Sequence, residues 1–315
     1  MAIINSNVKD AAELLQHSVI GIPTETVYGL AANAFNPDLV ARIFEIKNRP
    51  SFDPLIVHTW SVDAIREFTS EIPEPLKKLA DAFWPGPLTL LLPKNERIPD
   101  LVTSGLPDVA VRIPAHPLTL QLLQQLAFPL AAPSANPFGY ISPTRASHVN
   151  DQLGDLIPFI LDGGNCAVGL ESTIVGYANN RLTIFRLGGL AAEEIERVAG
   201  PVQIQTNQSS DPRAPGMLAG HYAPRKKLIL GTSESLQHYP DKLPFLIRFN
   251  SYIPDYPTNL QLLLSPSGNL CEAAVNLFAA LRDADQKAEQ LIIAELVPDE
   301  GLGMAINDRL RRAAF

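Results

Sequence analysis

Two α/β units joined by a polar segment are predicted, on three observations. Short apolar runs alternate with segments of helical period over residues 1–200. The alternation restarts at Leu228 and runs to the end of the chain. Between the two, Gly, Pro and polar residues show little periodicity. The expected division is 1–200, 201–226 and 227–315. The second unit has room for four or five strands in a parallel, flavodoxin- or Rossmann-like α/β arrangement.

The elements follow in order. Val8, Ala11, Ala12, Leu14 and Leu15 give residues 8–17 a helical period. SVIGI is a short apolar strand that breaks at Pro23. Residues 38–47 form a helix, punctuated at its start by Pro37 and Asp38. PLIVHTW is a buried strand, and SVDAIREF a helix opened by Ser61. PLTLLLP at 87–93 and the alternating DVAVRIP at 108–114 are strands. Residues 117–127 are helical, and FPLAAPSAN is a strand that ends in a loop. PFILDGG, STIVGY and LTIFRLG supply three more strands. Beyond Leu228 the expected order is KLIL, PFLIRF, LQLLLS, a helix at 271–282, LIIAELV and a last helix near 303–314.

Composition narrows the function classes. The 315 residues are 46% hydrophobic, enough for a substantial core and against a disordered chain. Against 33 Asp and Glu stand 25 Lys and Arg, so the molecule as a whole does not look like a nucleic-acid binder. Cys166 and Cys271 are far apart, which favours a reducing compartment and gives no zinc spacing or disulfide framework. MAIINSNVKDAAELLQ does not look like a signal peptide, and no apolar stretch is long enough for a membrane span. A cytoplasmic chain without membrane contact is the expectation. Neither GxxxxGK[ST] nor GxGxxG is present, so a P-loop or dinucleotide fingerprint has no support.

Small polar residues cluster at strand ends instead. PTETVYG carries Thr24, Thr26 and Tyr28 around Glu25, either as an ordinary turn or as a ligand loop. Lys47 and Arg49 lie at a helix C-terminus, where they either complement the dipole or form an anion site for phosphates. His58 closes an apolar strand, as a hydrogen-bonded core histidine or as part of a site. PSANPFGYISPTR places Ser134, Asn136, Ser142 and Thr144 in one loop after a buried strand. Arg112 is embedded in VAVRIP, where it either pairs with a carboxylate or receives an anionic ligand. Glu171, Ser172 and Thr173 begin one strand, and Arg186 ends another. Met217, Leu218, His221 and Tyr222 are too apolar for a plain spacer. Several cations and hydroxyls at strand ends suit a ligand with phosphates and a small carboxylate.

PTETVYGL, KNRP with PLIVH, VRIPAHP, PSAN, LESTIV and RLG resemble, in that order, the YrdC-like threonylcarbamoyl-AMP synthase family. PRAPGMLAGHYAP and GLGMAINDRLRRAA resemble the linker and C-terminal domain of its long form. The resemblance implies an open twisted YrdC-like α/β sheet domain and a reaction of L-threonine, bicarbonate and ATP. The products are threonylcarbamoyl-adenylate, pyrophosphate and water, and downstream transferase proteins use the adenylate to modify tRNA beside the anticodon. By position, the resemblance gives Thr26, His58, Arg112, the Ala132 backbone and Ser172 to L-threonine. It gives Lys47, Arg49, Asp53, Asp108, Ser134, Asn136, Ser142, Arg186 and Tyr222 to ATP, with Lys47 and Arg49 as the catalytic cations. Mg²⁺ would accompany ATP, without an organic cofactor, and residues 207–225 would form a lid. The competing reading is an RNA- or tRNA-binding module without catalysis. The C-terminal unit either anchors the lid or recruits partners.

Overall fold

The computed structural model describes residues 1–206, 214–216, 220–239 and 243–314. An eleven-stranded mixed sheet dominates it. Its strands are β1 (Ile3–Asn5), β2 (Ile20–Ile22), β3 (Gly29–Asn33), β4 (Ile56–His58), β5 (Leu88–Pro93), β6 (Asp108–Arg112), β7 (Leu130–Ala131), β8 (Phe159–Leu161), β9 (Thr173–Ala178), β10 (Arg181–Arg186) and β11 (Val202–Ile204). The order is β1-β8-β2-β3-β7-β4-β6-β5-β9-β10-β11. β11 pairs with β10, so the large sheet crosses the boundary expected at residue 200.

A separate sheet holds β12 (Lys227–Leu230), β13 (Phe245–Arg248), β14 (Gln261–Leu263) and β15 (Leu291–Ala294), in the order β12-β15-β13-β14. Every pairing in it is parallel, as the restarted alternation predicts. Its first strand lies at an edge, whereas flavodoxin-like order places it inside. Leu270–Lys287 and Leu302–Ala313 are its helices.

The predicted elements form for the reasons expected. Asn36 caps the helix Pro37–Lys47 by accepting from the N–H groups of Asp38 and Leu39, with Pro37 in the first turn. That helix stops at Asn48, which takes the left-handed conformation (φ 52°) common at helix C-termini. Glu74–Phe83 was not expected as a helix, because prolines crowd its start. Pro75 sits in the first turn, where a missing N–H leaves no bond unmade. β3, read from GLAAN, lacks the β-branched residues that mark a strand. One apolar cluster runs through both units, from Val19 to Ala313, and includes Tyr222 of the connecting segment. The two units therefore share a core and meet along it.

Candidate active site

A cavity of about 50 Å³ lies where β4, β6 and β10 end and the loop before β9 begins. β4 and β6 run parallel with His58 and Arg112 as register partners, so both side chains rise on one face. Arg112 Nε donates to the Gly86 carbonyl at 3.1 Å, and Nη1 donates to Thr26 Oγ1 at 2.8 Å. Nη2 lies 2.6 Å from Glu25 Oε1. Two of the five guanidinium N–H groups are spent in hydrogen bonds and Nη2 meets Glu25 as an ion pair, which leaves N–H capacity for a ligand carboxylate. The arginine in VAVRIP thus pairs with a carboxylate and retains capacity for another. Burial and the Arg112 charge push the His58 imidazole down to about 3, so it is neutral at physiological pH.

Arg186 stands across the cavity. The β9–β10 register shifts between Ile184 and Arg186, and that irregularity re-aims the arginine at the strand end. Its Nε and Nη2 donate to the Ser172 carbonyl at 3.0 and 2.9 Å, and Nη2 also reaches Ser172 Oγ at 3.0 Å. Ser172 Oγ is 2.7 Å from Thr89 Oγ1. Arg49, also lining the cavity, pairs with buried Asp53 at 2.9 Å. Arg186 differs from Arg49 and Arg112 in having no carboxylate ion pair among the described residues. Burial brings its guanidinium down to about 10. Glu171 acts on it only through space, and a buried cation that no carboxylate contacts marks where an anionic ligand would be welcomed.

Thr26, Arg49, His58, Arg112, Ala132, Ser134, Ser172, Arg186 and Tyr222 are brought together around one cavity. Four other predicted residues lie behind it. Lys47 is buried, and its Nζ donates to the carbonyls of Ser134 and Asn136, so it braces the PSAN loop and does not point into the open space. Burial and Arg49 hold its ammonium well below the usual lysine range. Asn136 Nδ2 donates to the carbonyls of Pro137 and Tyr140 at 2.8 and 2.9 Å, bracing the same loop. Ser142 donates to Glu171 Oε1 at 2.6 Å, and Asp53 is tied to Arg49. Asp108 is exposed at the opposite end of β6, about 13 Å of strand from Arg112. Tyr28 turns away, donating to Gly164 O at 2.8 Å.

The connecting segment roofs the cavity through Pro215, Gly216, His221 and Tyr222. The Tyr222 ring stacks on Phe278 at 5.5 Å, and the guanidinium carbons of Arg309 and Arg312 each lie 4.9 Å from it. Its φ of 68° is strained for an aromatic residue and is held by that packing. Of the expected lid, residues 207–213 and 217–219, which include Met217 and Leu218, lie outside the described residues. About 50 Å³ holds only a few waters, far below the ~300–1,000 Å³ of ordinary ligand sites.

Sequence reasoning singled out three further contributors without giving any of them a role. Thr24 and Glu25 sit in PTET, whose pattern signalled the loop without a role for each residue. Glu171 lines the cavity, held by Ser142 and, at 3.0 Å, by Arg309 Nε from the last helix. Arg309 lies inside a C-terminal motif, but no local pattern relates it to a residue 138 positions earlier. Among the described residues no cluster of three or more His, Cys, Asp or Glu could hold a metal ion. No helix among them is long and apolar enough to cross a membrane.

Residues 12–188 match a family model described as telomere recombination, and residues 190–315 match the threonylcarbamoyl-AMP synthase C-terminal domain. The chain is 41% identical to the threonylcarbamoyl-AMP synthase of Bacillus subtilis, over 96% of this chain and 91% of that protein. It is 40% identical to the Pyrococcus abyssi threonylcarbamoyl-AMP synthase, over 96% and 92%. The solved structure of P. abyssi Sua5 complexed with L-threonine superposes with a TM-score of 0.90 at 38% identity, covering 99% of this chain and 98% of that one. Escherichia coli YciO, at 17% identity and a TM-score of 0.53 over 60% of this chain and 96% of that one, shares the fold.

Proposed function

The chain belongs to the threonylcarbamoyl-AMP synthase family, and on that premise we propose that this cavity joins L-threonine, bicarbonate and ATP into threonylcarbamoyl-adenylate. One observation carries the assignment of roles: an arginine–hydroxyl subsite at Arg112 and Thr26 faces, across Ser172, a buried arginine that makes no carboxylate contact at ion-pair distance among the described residues. The first suits an amino acid and the second a phosphate chain.

Arg112 receives the α-carboxylate of threonine on its remaining N–H groups. Neutral His58 and the Ala132 backbone close the rest of that subsite. The threonine amine takes up the carbon of bicarbonate, water leaves, and a carbamate results. One carbamate oxygen then bonds to the α-phosphorus of ATP as the bond to the β-phosphate oxygen breaks, and pyrophosphate departs. Arg186, Arg49 and the Ser134 loop meet the charge that builds on the phosphates. Lys47 contributes by fixing that loop. Mg²⁺ would arrive on the phosphates of ATP as part of the substrate, since Glu171, the carboxylate lining the cavity, is already held by Ser142 and Arg309. Tyr222 closes over the nucleotide and shields the labile carbamate from water.

The same proposal adopts the division into a catalytic unit, a lid and a C-terminal unit, a cytoplasmic address and onward transfer to tRNA by separate transferase proteins. Mass-spectrometric assay of purified chain with ATP, Mg²⁺, L-threonine and bicarbonate tests it. Adenylate and pyrophosphate are expected and vanish when any one substrate is omitted. No product from folded, ATP-binding protein would overturn the assignment.

A further inference from the structure

The hydroxyls of Thr24 and Thr26 lie 2.7 Å apart, and either could in principle donate to the other. The neighbours remove that freedom. Thr24 Oγ1 is 2.6 Å from the Val27 carbonyl, which can only accept. The single Thr24 proton therefore goes to Val27, and Thr24 must accept from Thr26. The Thr26 and Val27 amide N–H groups, both at the longer distance of 3.2 Å, share the one lone pair that remains on Thr24. Thr26 has thereby spent its own proton. One of its lone pairs takes the Arg112 Nη1 proton at 2.8 Å, and one is left. Both threonines are buried and both line the cavity.

We propose that Thr24 is a positioning residue that locks Thr26 as a hydrogen-bond acceptor, so that Thr26 reads the amine nitrogen of the bound amino acid. The protons run in one direction, from Arg112 to Thr26 to Thr24 to the Val27 carbonyl. A carboxylate seated on Arg112 carries its amine on the adjacent carbon, within reach of an acceptor that itself touches Arg112. Nitrogen keeps an N–H as ammonium, as amine and as carbamate, so the contact persists through the reaction. An anionic group in the same place would meet a lone pair and be turned away. This inference rests on the amino-acid subsite proposed above.

The experiment measures direct binding of L-threonine and of (3R)-3-hydroxybutyrate, which keeps the carboxylate and the β-hydroxyl and lacks the amine. The proteins are the wild type, Thr24→Val, Thr24→Ser, Thr26→Val and the Thr24→Val/Thr26→Val double variant. Thr24→Val is expected to weaken L-threonine about tenfold while changing the hydroxybutyrate less than about threefold. Thr24→Ser restores the wild-type preference, since it keeps the hydroxyl. In the Thr26→Val background, Thr24→Val leaves the preference unchanged, because Thr24 acts through Thr26. Equal weakening of both ligands by Thr24→Val, or failure of Thr24→Ser to restore the preference, would reduce Thr24 to a structural role and overturn the proposal. A wild type that binds both ligands equally well removes the amine contact and overturns it as well. A wild type that binds no L-threonine fails the amino-acid subsite itself, and is recognised by that loss in the unmutated chain.

Discussion

Arg112 serves three partners at once, and the planar fork of a guanidinium is what permits it. A lysine offers three donors from one point and cannot serve them together with a carboxylate. Arg112→Lys is expected to raise KM for L-threonine by about 10–100-fold with a smaller effect on KM for ATP, read from initial rates with each substrate varied. Selectivity follows from the same subsite. Serine lacks one methyl and is rejected by only about 1–3 kcal/mol, whereas valine leaves polar groups unpaired and is rejected by several orders of magnitude. Competition assays with the two amino acids check this, and comparable rates with valine would remove the assigned pocket. His58 and His148 each titrate near 3, in both cases through burial first, followed by Arg112 for His58 and Arg282 for His148. Between about 3 and 6.5 the unfolded chain binds protons that these folded histidines do not. Their contribution to stability is complete above pH 6.5 and is lost as pH falls toward 3, at about 1.4 kcal/mol per pH unit for each histidine. Urea midpoints measured from pH 7 to 5 should fall, and less steeply in His148→Gln. At this scale the sequence exposes residue types at strand ends, but not their partners: nothing local to Lys47 shows that its ammonium donates to the carbonyls of Ser134 and Asn136.

The strand-end loops owe their shape to close backbone approaches. Gly188, in the RLGG turn after β10, is the clearest case. A Cβ there would lie 2.2 Å from the Glu171 carbonyl oxygen and 2.5 Å from the Ser172 carbonyl carbon. Both contacts are backbone and cannot rotate aside. Gly188→Ala should therefore destabilise the fold by about 2 kcal/mol or more and shift Ser172 away from Arg186, measurable as a lowered Tm together with a raised KM for ATP. Strands with apolar, β-branched runs were legible: β4, β5, β6 and all four strands of the small sheet lie inside predicted segments, and β9 and β10 each run one residue beyond theirs. β3 and the helix Glu74–Phe83 were not, because neighbours in the sheet and a first-turn proline override weak local signals. The bulge that aims Arg186 leaves no mark in LTIFRLG, since a register shift is a property of the pair and not of one strand.

At the scale of the molecule, the last helix reaches the cavity. Arg309 is fully buried, donates to Glu171 and to the Leu187 carbonyl at 3.0 and 2.7 Å, and faces the Tyr222 ring. The C-terminal unit thus holds the wall and the roof of the site together, which favours anchoring over a purely recruiting role. Arg309→Met strands the Glu171 carboxylate in a buried setting and should cost about 3–5 kcal/mol, with the added Glu171→Gln recovering part of it, by chemical denaturation. This contact spans the two units, so neither half of the sequence announces it. The central claim is an order of chemistry: carbamate first, adenylate second. Exchange of labelled pyrophosphate into ATP tests it most directly. The account predicts exchange only when L-threonine and bicarbonate are both present. Exchange with L-threonine alone would mean that the amino-acid carboxylate is adenylated without carboxylation of the amine, and would contradict the account.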